Sequence, residues 1–291
     1  MKKEITILSG KGGAGKTIVT SSFASLASNA IFCDNDVDAS DLHLIFDPQI
    51  IESHIFDSGR VVTINHETCT NCGLCIDICR FGAIHNGKKT KPIIDEFQCE
   101  GCRLCERLCP ENAITSTPNL KNKWFVSDSR FGKLVHAQME PGEENSGKLV
   151  TQIREKARGL AVEANSEFVI NDGPPGIGCT AIASITGTEA VVIVMEPSLT
   201  GIHDAQRLNE LVESFNIPVF AVINKYDINE QLAKETENFL SKNKIILLGK
   251  IPFDTQIIEA MVNGQNIIEY APHSKTSNEI RLIWKNLKNL R

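Results

Sequence analysis

Eight of the ten cysteines lie in one short stretch, as two runs of four with the same spacing, C-x₂-C-x₂-C-x₃-C. The first run is Cys69, Cys72, Cys75 and Cys79, and the second is Cys99, Cys102, Cys105 and Cys109. Cysteines at this spacing bind the irons of [4Fe–4S] clusters, although four cysteines also suit zinc. Because the complete run occurs twice, we favour two [4Fe–4S] clusters. The chemistry that they imply is one-electron transfer.

The two runs belong to a duplicated segment. Residues 69–84 match residues 99–114 at seven of sixteen positions, with an offset of 30 residues. The segment resembles bacterial two-cluster ferredoxins, in which the fourth cysteine of each run binds the cluster of the other run. The resemblance implies one cluster on Cys69, Cys72, Cys75 and Cys109 and a second on Cys99, Cys102, Cys105 and Cys79. Arg80 departs from the ferredoxin motif, because it stands where proline is usual; Pro110 follows the second run.

A second chemical motif lies near the N-terminus. Residues 9–17 read SGKGGAGKT and fit the phosphate-loop pattern G-x-x-x-x-G-K-T, between a strand-like run and a helix-like segment. The residues whose backbone N–H groups are expected to surround phosphate oxygens are Gly10, Gly12, Gly13, Ala14 and Gly15. Lys16 is expected to reach the β- and γ-phosphates, and the Thr17 hydroxyl to bind Mg²⁺.

Lys11 is a further cation in this loop, which therefore reads G-K-G-G-x-G-K-T. This form resembles the deviant phosphate loop of the MinD/ParA/Mrp ATPases. The resemblance implies that Lys11 reaches phosphates bound by a partner subunit. We therefore expect a dimer in the ATP state, either a homodimer or a heterodimer with a paralogue, with Lys11 and Lys16 both catalytic.

Two acidic segments resemble the same family. Asp34-Asn35-Asp36 follows a predicted strand and resembles the family's Asp-x-Asp, which implies that Asp36 orients the attacking water and that Asp34 lies on the Mg²⁺ side. The segment that runs from Asp172 to Gly176 resembles Asp-x-Pro-Pro-Gly. There the resemblance implies that Asp172 holds the Mg²⁺ shell and that the Gly176 N–H senses the γ-phosphate.

The predicted base-binding segment matches two patterns. Asn224 ends a predicted strand, where the resemblance implies a contact with adenine. Residues 224–227 read Asn-Lys-Tyr-Asp, which also matches the Asn-Lys-x-Asp segment of guanine-specific GTPases. We favour ATP because of the deviant loop. Glu196-Pro197 resembles the family's base-side loop and is expected to help frame the purine.

Outside the cysteine stretch, short β-branched runs alternate with helix-like segments. Examples of these runs are residues 5–8, 30–33, 168–170 and 190–195. The alternation predicts an α/β fold with a doubly wound, mostly parallel sheet, of the P-loop NTPase type. The cysteine stretch interrupts it, so we predict an inserted, ferredoxin-like α+β iron–sulfur domain at residues 60–118. Residues 1–59 and 119–291 are then the two parts of the ATPase domain.

Composition limits the classes of partner. The 291 residues include 30 basic and 36 acidic side chains, a formal net charge of −6, which does not favour sequence-independent binding to nucleic acid. No apolar run reaches the roughly 18 residues of a membrane span, and the N-terminus lacks a signal-peptide pattern, so we expect a cytoplasmic protein. Residues 280–291 predict an amphipathic helix that packs on the sheet rather than on a membrane.

These motifs predict a Mg²⁺-dependent ATPase that dimerises with ATP and gates electron transfer to a partner metalloprotein, an electron donor or acceptor. An alternative is an assembly or carrier ATPase for iron–sulfur or other metal cofactors. Four cysteines for each cluster favour permanent redox centres over cargo, and the C-terminal cysteine pair of the Mrp carriers is absent from the sequence. A MinD-like role in spatial positioning is the least favoured of the three.

Overall fold

The computed structural model describes residues 3–87, 91–140 and 146–289. Its strands are β1 (Lys3–Ser9), β2 (Ala30–Asp34), β3 (Gln49–Phe56), β4 (Arg60–Ile64), β5 (Ile84–Asn86), β6 (Pro92–Ile94), β7 (Ile114–Pro118), β8 (Asn122–Ser129), β9 (Gly132–Gln138), β10 (Phe168–Pro175), β11 (Ala190–Met195), β12 (Val219–Asn224) and β13 (Ile246–Ile251). Its helices are α1 (Lys16–Leu26), α2 (Leu42–Phe46), α3 (Leu74–Asp77), α4 (Leu104–Leu108), α5 (Ser146–Glu163), α6 (Cys179–Ile185), α7 (Leu199–Glu213), α8 (Glu230–Lys242), α9 (Gln256–Val262), α10 (Ile267–Tyr270) and α11 (Lys275–Lys288).

The main sheet of the described residues has nine strands, in the order β13-β12-β11-β1-β10-β2-β9-β8-β3. Neighbouring strands from β13 to β9 all pair in parallel. Central strands of this kind are buried on both faces, which is why β11 and β12 are nearly continuous apolar runs. The predicted α/β class with a mostly parallel sheet is confirmed.

The register of the central strands brings two predicted site residues together. Asp172 of β10 pairs with Ile7 of β1 on one side and with Asp34 of β2 on the other. The carboxyl ends of parallel strands lie at one edge of the sheet, where a doubly wound fold binds its ligands. The topology thus places both aspartates beside the loop that follows β1.

The C-terminal helix packs against one face of the sheet. Its buried apolar residues are Ile280, Ile283, Trp284 and Leu287. The Trp284 ring lies 5.0 Å from the ring of Phe23 in α1 and 5.2 Å from the ring of Phe168 in β10. Leu290, which belongs to the predicted amphipathic segment 280–291, lies outside the described residues. Across the parts of the chain that the structure describes, no helix is both long enough and apolar enough to span a bilayer.

The chain divides into two compact units. The first consists of Met1–Ser53, Trp124–Gln138 and Gly147–Arg291, and the second of His54–Lys123 and Met139–Ser146. All the predicted nucleotide-binding residues belong to the first unit, and both cysteine runs belong to the second. The domain ranges expected from the sequence, 1–59, 60–118 and 119–291, stay a prediction.

The second unit repeats its own structure. β4 pairs with β7, and β5 pairs with β6, both antiparallel. Two hydrogen bonds related by the 30-residue offset, from Asn65 N–H to the Ala113 carbonyl and from Asp95 N–H to the Ala83 carbonyl, have the same length of 2.7 Å. Left-handed backbone also recurs at this offset, in the pairs Asn71/Gly101, Gly73/Arg103 and Gly82/Asn112. The duplicated sequence therefore forms two copies of one local structure.

Candidate functional site

The phosphate loop lies between β1 and α1 and depends on its glycines. Gly13 and Gly15 have φ angles of 79° and 99°, in the left-handed region that side chains disfavour. A Cβ atom on Gly15 would lie 2.3 Å from Nδ2 of Asn224, and one on Gly10 would lie 2.1 Å from Cβ of Asp204. A larger residue at Gly10 would collide with α7, and one at Gly15 would collide with the Asn224 side chain.

Asn224 supports this loop from the end of β12. Its side chain is buried, and Nδ2 donates a hydrogen bond of 2.9 Å to the carbonyl of Ala14. Its Oδ1 is also buried and has no partner within the described residues. The adenine contact expected for Asn224 stays a prediction, whereas its contact with the loop backbone is a feature that sequence reasoning missed.

Asp172 is held by two hydroxyl groups of α1. Thr17 Oγ1 donates to Asp172 Oδ2 at 2.8 Å, and Thr20 Oγ1 donates to Oδ1 at 2.7 Å. Burial raises the pKa of the Asp172 carboxyl, while these hydrogen bonds and Lys16 act in the opposite direction. Thr20 was not predicted as a site residue, although it lies one helical turn after Thr17 and therefore on the same face of α1.

Asp34 lies beside Asp172, and its oxygens are already engaged. Ser40 Oγ donates to Asp34 Oδ2 at 2.7 Å, and the backbone N–H of Leu42 donates to the same oxygen at 3.2 Å. Asp36 N–H donates to the other oxygen, Oδ1, at 3.2 Å. Burial, reinforced by the charge of Asp172, raises the pKa of Asp34 well above its ordinary value. Asp34 thus fixes the segment that leads into α2.

Lys16 and Asp36 face one another at the mouth of the loop. Lys16 Nζ lies 4.0 Å from Asp36 Oδ2, and the Lys16 side chain is 7% exposed. Burial raises the pKa of Asp36 to about 6, although Lys16 lowers it, and Asp172 adds a further increase. A lysine and a carboxylate that face one another beside a phosphate loop can contact a phosphate chain and orient a water molecule.

Lys11 and the loop after β10 are each held by contacts within the subunit. Lys11 Nζ lies 3.2 Å from Glu196 Oε2, and Lys225 Nζ lies 2.5 Å from Glu196 Oε1. Gly176, with φ of 83°, donates its N–H to the carbonyl of Ser9 at 2.9 Å. Glu196 was predicted only as part of the base-side loop, because its pairing with Lys11 has no local sequence signal.

The second unit contains two cavities lined by cysteines. The cysteines around the first cavity are Cys69, Cys72, Cys75, Cys105 and Cys109. Those around the second are Cys79, Cys99, Cys102 and Cys105. Each cavity therefore brings together the first three cysteines of one run and the fourth cysteine of the other run, and Cys105 lines both cavities.

Apolar residues at equivalent places in the repeat line the two cavities. Ala113 and Ile114 line the first, and Ala83 and Ile84 line the second. The backbone N–H of Ala113 donates to Cys109 Sγ at 3.3 Å. Among the described residues, no three His, Cys, Asp or Glu side chains converge on a point that a single ion would occupy.

Comparisons with known proteins agree with the geometry of the phosphate loop. The family model for the "CobQ/CobB/MinD/ParA nucleotide binding domain" matches residues 5–267. The uncharacterized protein MJ0578 of Methanocaldococcus jannaschii is 32% identical over 289 residues, which cover 98% of this chain and 96% of the relative. MJ0579 of the same organism is 26% identical over 297 residues, covering 96% of this chain and 97% of the relative.

The fold is also similar to that of a solved structure. The septum site-determining protein MinD from Pyrococcus horikoshii, in complex with Mg-ADP, superposes with a TM-score of 0.62 at 16% sequence identity. The alignment covers 99% of this chain and 97% of that chain. Since the family match spans most of the sequence and contains the phosphate loop, the chain belongs to the CobQ/CobB/MinD/ParA nucleotide-binding family and is a P-loop ATPase.

Proposed function

We propose that this ATPase couples its nucleotide state to electron transfer through two [4Fe–4S] clusters in the second unit. The electrons would pass to or from a partner metalloprotein. One observation carries the proposal: two repeat-related cavities, each lined by four or more cysteines, occur in the same chain as an ATPase site. In such a chain, the bound nucleotide would act as the switch and the two clusters would carry the electron.

The residues around the cavities fit this cofactor. A [4Fe–4S] cluster takes one cysteine per iron, so its four sulfurs surround a cube rather than meeting at one ion. The first cavity offers the set Cys69, Cys72, Cys75 and Cys109, and the second offers Cys99, Cys102, Cys105 and Cys79. The apolar lining and the N–H of Ala113 directed at Cys109 suit a sulfur-rich, charged group.

Each cluster, when bound, supplies a centre that accepts and releases one electron. The chain supplies the thiolates. Burial raises the pKa of Cys75, and it raises that of Cys105 to about 11, so these free thiols are protonated near neutral pH. Binding of the cofactor therefore releases protons from the cysteines, and assembly is expected to be favoured by higher pH.

At the nucleotide end, the positions of Lys16, Thr17, Asp36 and Asp172 support the roles that we propose for them. The loop N–H groups and Lys16 would hold the phosphates of ATP. Thr17 and Asp172, already in contact, would hold Mg²⁺ together. Asp36 stands 4.0 Å from Lys16 and, as a carboxylate, would accept a hydrogen bond from the attacking water.

Contacts within the first unit provide a route from the γ-phosphate to α5. The loop that begins at Gly176 leads into α6. The carbonyl of Thr186, at the end of α6, accepts hydrogen bonds from Arg154 and Arg158 of α5, at 3.0 and 3.1 Å. α5 begins at Ser146, where segment 139–146 of the second unit ends. A shift of the loop would therefore move α6 and α5 together.

The proposed dimer depends on Lys11. To reach phosphates on a partner subunit, Lys11 must exchange its ion pair with Glu196 for the phosphate oxygens. An exposed pair of this kind contributes about 0–1 kcal/mol, so ATP binding across a dimer can replace it. The partner would be a second copy of this chain or a paralogue with the same loop.

Metal content tests the proposal. Protein purified without oxygen is expected to contain about eight irons and as many labile sulfides per chain, since each of two cubes holds four. Cys109→Ser is expected to lower the iron content by about half. Cys179→Ser is the matched control, because Cys179 is exposed and lines neither cavity. Two zinc ions per chain in place of iron would contradict the proposal.

A second candidate function is spatial positioning of cell components. Relatives described as putative septum site-determining protein MinD, from Emiliania huxleyi and Mesostigma viride, favour it, at 25% and 23% identity. The two functions differ in membrane binding. Co-sedimentation with phosphatidylglycerol vesicles that depends on Mg-ATP would favour positioning, whereas electron transfer predicts protein in the supernatant. Transfer of intact clusters to an apo-ferredoxin would instead favour a carrier ATPase.

A further inference from the structure

The two halves of the duplicated segment differ in charge directly after the fourth cysteine. Arg80 and Phe81 follow Cys79, whereas Pro110 and Glu111 follow Cys109. Arg80 and Phe81 line the second cavity, and Pro110 and Glu111 line the first. A cation in one half thus corresponds to a proline in the other, and an apolar ring corresponds to a carboxylate.

The remaining lining residues preserve this difference. Glu111 is the one charged residue that lines the first cavity within the described ranges. The second cavity has Arg80, Arg103 and Glu100. Arg103 Nε donates to Glu106 Oε2 at 2.6 Å, so the charge of Arg103 is largely balanced. Even without Arg103, the second cavity is more positive than the first, because Arg80 offsets Glu100 while Glu111 has no cation beside it in the lining.

A centre that gains an electron becomes more negative. A neighbouring cation stabilises that reduced state, and a neighbouring carboxylate destabilises it, in proportion to the charge and inversely to the distance. The potentials of iron–sulfur clusters depend on local charge, hydrogen bonds and exposure for this reason. Arg80 and Glu111 are both exposed, so solvent and salt reduce their effects without removing them.

We infer that Arg80 and Glu111 set unequal electron affinities at the two cavities, so that the second is the preferred resting place of an electron within the chain. This inference rests on the proposed function, because it requires both clusters. Cys69, Cys72, Cys75 and Cys109 would hold the centre at the first cavity, and Cys79, Cys99, Cys102 and Cys105 the centre at the second. An electron given up by the first centre would be taken up by the second, with no proton moved and no bond broken.

The test measures the two reduction potentials of the full chain, anaerobically, by EPR at a series of potentials set with dithionite and mediator dyes. The wild type is expected to show two separate one-electron steps. Arg80→Gln is expected to lower the upper step by about 59 mV, a tenfold change in the ratio of reduced to oxidised centres. Arg80→Lys should retain the upper step. Arg107→Gln is the control, since Arg107 is exposed but lines neither cavity.

Glu111→Gln provides an independent arm. It should raise the lower reduction potential and leave the upper one unchanged. If Arg80→Gln loses iron, this variant still tests whether charge at the cavities sets the potentials. Two clusters whose potentials are unmoved by both glutamine variants would overturn the inference but leave the proposed function intact. A chain without iron would overturn both.

Discussion

Lys11 Nζ and Glu196 Oε2 lie 3.2 Å apart, so the second lysine of the phosphate loop is paired within its own subunit. The other oxygen of Glu196 lies 2.5 Å from Lys225 Nζ. Burial raises the pKa of Glu196, but the hydrogen bonds from Lys225 and Lys11 outweigh it and lower the pKa. Glu196 is therefore charged at neutral pH and competes with phosphate for Lys11.

Glu196→Gln is expected to promote the proposed dimer. The substitution removes the charge that competes for Lys11, an effect of about 1 kcal/mol or less. The ATP concentration at half-maximal dimerisation should fall by up to about fivefold. Sedimentation velocity across an ATP series measures this. Glu237→Gln is the control, because it removes a comparable ion pair with Lys250, at 2.8 Å. An unchanged or higher ATP requirement for Glu196→Gln would refute the competition.

Asn224→Ala is expected to weaken nucleotide binding through the loop. The loss of the hydrogen bond to the Ala14 carbonyl should cost about 1–3 kcal/mol, or roughly 5- to 150-fold in Kd. Calorimetry with Mg-ATP and with Mg-triphosphate separates two roles. Support of the loop predicts equal weakening of both ligands, whereas a base contact alone predicts weakening of ATP only. Asn243→Ala removes a side-chain hydrogen bond to the carbonyl of Phe239 in α8, and it should change the binding of neither ligand.

Asp36 gives a pH dependence to ATP hydrolysis. Its pKa of about 6 means that the carboxylate, the form that accepts a hydrogen bond from water, is lost as the pH falls through about 6. The profile of kcat/KM should therefore have an acid limb near pH 6, and Asp36→Asn should remove nearly all activity. A profile that stays flat down to pH 5 would exclude Asp36 as the titrating group.

The raised pKa of Asp36 also makes protein stability depend on pH. The direction is opposite to that expected for an aspartate in a salt bridge, whose pKa is lowered. Folding raises the pKa from 3.8 to about 6, so the native state holds the proton more tightly than the unfolded state. The contribution of protonated Asp36 to the free energy of unfolding is fully present below about pH 3.8 and is lost as the pH rises through about 6. Urea denaturation at pH 8 should find Asp36→Asn more stable than wild type, by about 1–2 kcal/mol. A less stable variant would contradict this.

Arg154 and Arg158 bind one carboxylate but differ in burial. Arg154 Nη2 lies 2.5 Å from Glu4 Oε1 and Arg158 Nε lies 2.6 Å from Glu4 Oε2, with side chains 3% and 39% exposed. Arg154→Ala should cost about 3–5 kcal/mol, because it leaves the buried charge of Glu4 poorly compensated. Arg158→Ala should cost about 1 kcal/mol. Equal losses in urea denaturation would show that burial is not the deciding factor.

Local patterns predicted much of this site. The phosphate loop, Asp34 at the end of β2, Asp172 within β10 and the cysteine runs are set by spacing over a few residues. The alternation of strands and helices also predicted the α/β class. Once Asp34 and Asp172 are assigned to the carboxyl-terminal halves of parallel strands, their proximity follows from the topology.

Contacts between distant residues were not predictable in the same way. The Asn224 bond to Ala14 joins residues 210 positions apart and depends on the order of strands in the sheet. The Lys11 pair with Glu196 depends on how two loops meet, and neither residue has a pattern that names the other. β8 and β9 were also missed, because residues 122–138 mix polar and apolar side chains without a clear period.

EPR of the reduced protein, recorded anaerobically with and without Mg-ATP, tests most directly whether nucleotide governs the redox centres. We predict signals from two interacting [4Fe–4S] clusters in each chain, with a line shape or potential that changes when Mg-ATP binds and does not change with Mg-ADP. Spectra that stay identical without nucleotide, with Mg-ATP and with Mg-ADP would contradict the coupling. The absence of any iron–sulfur signal would contradict the redox function itself.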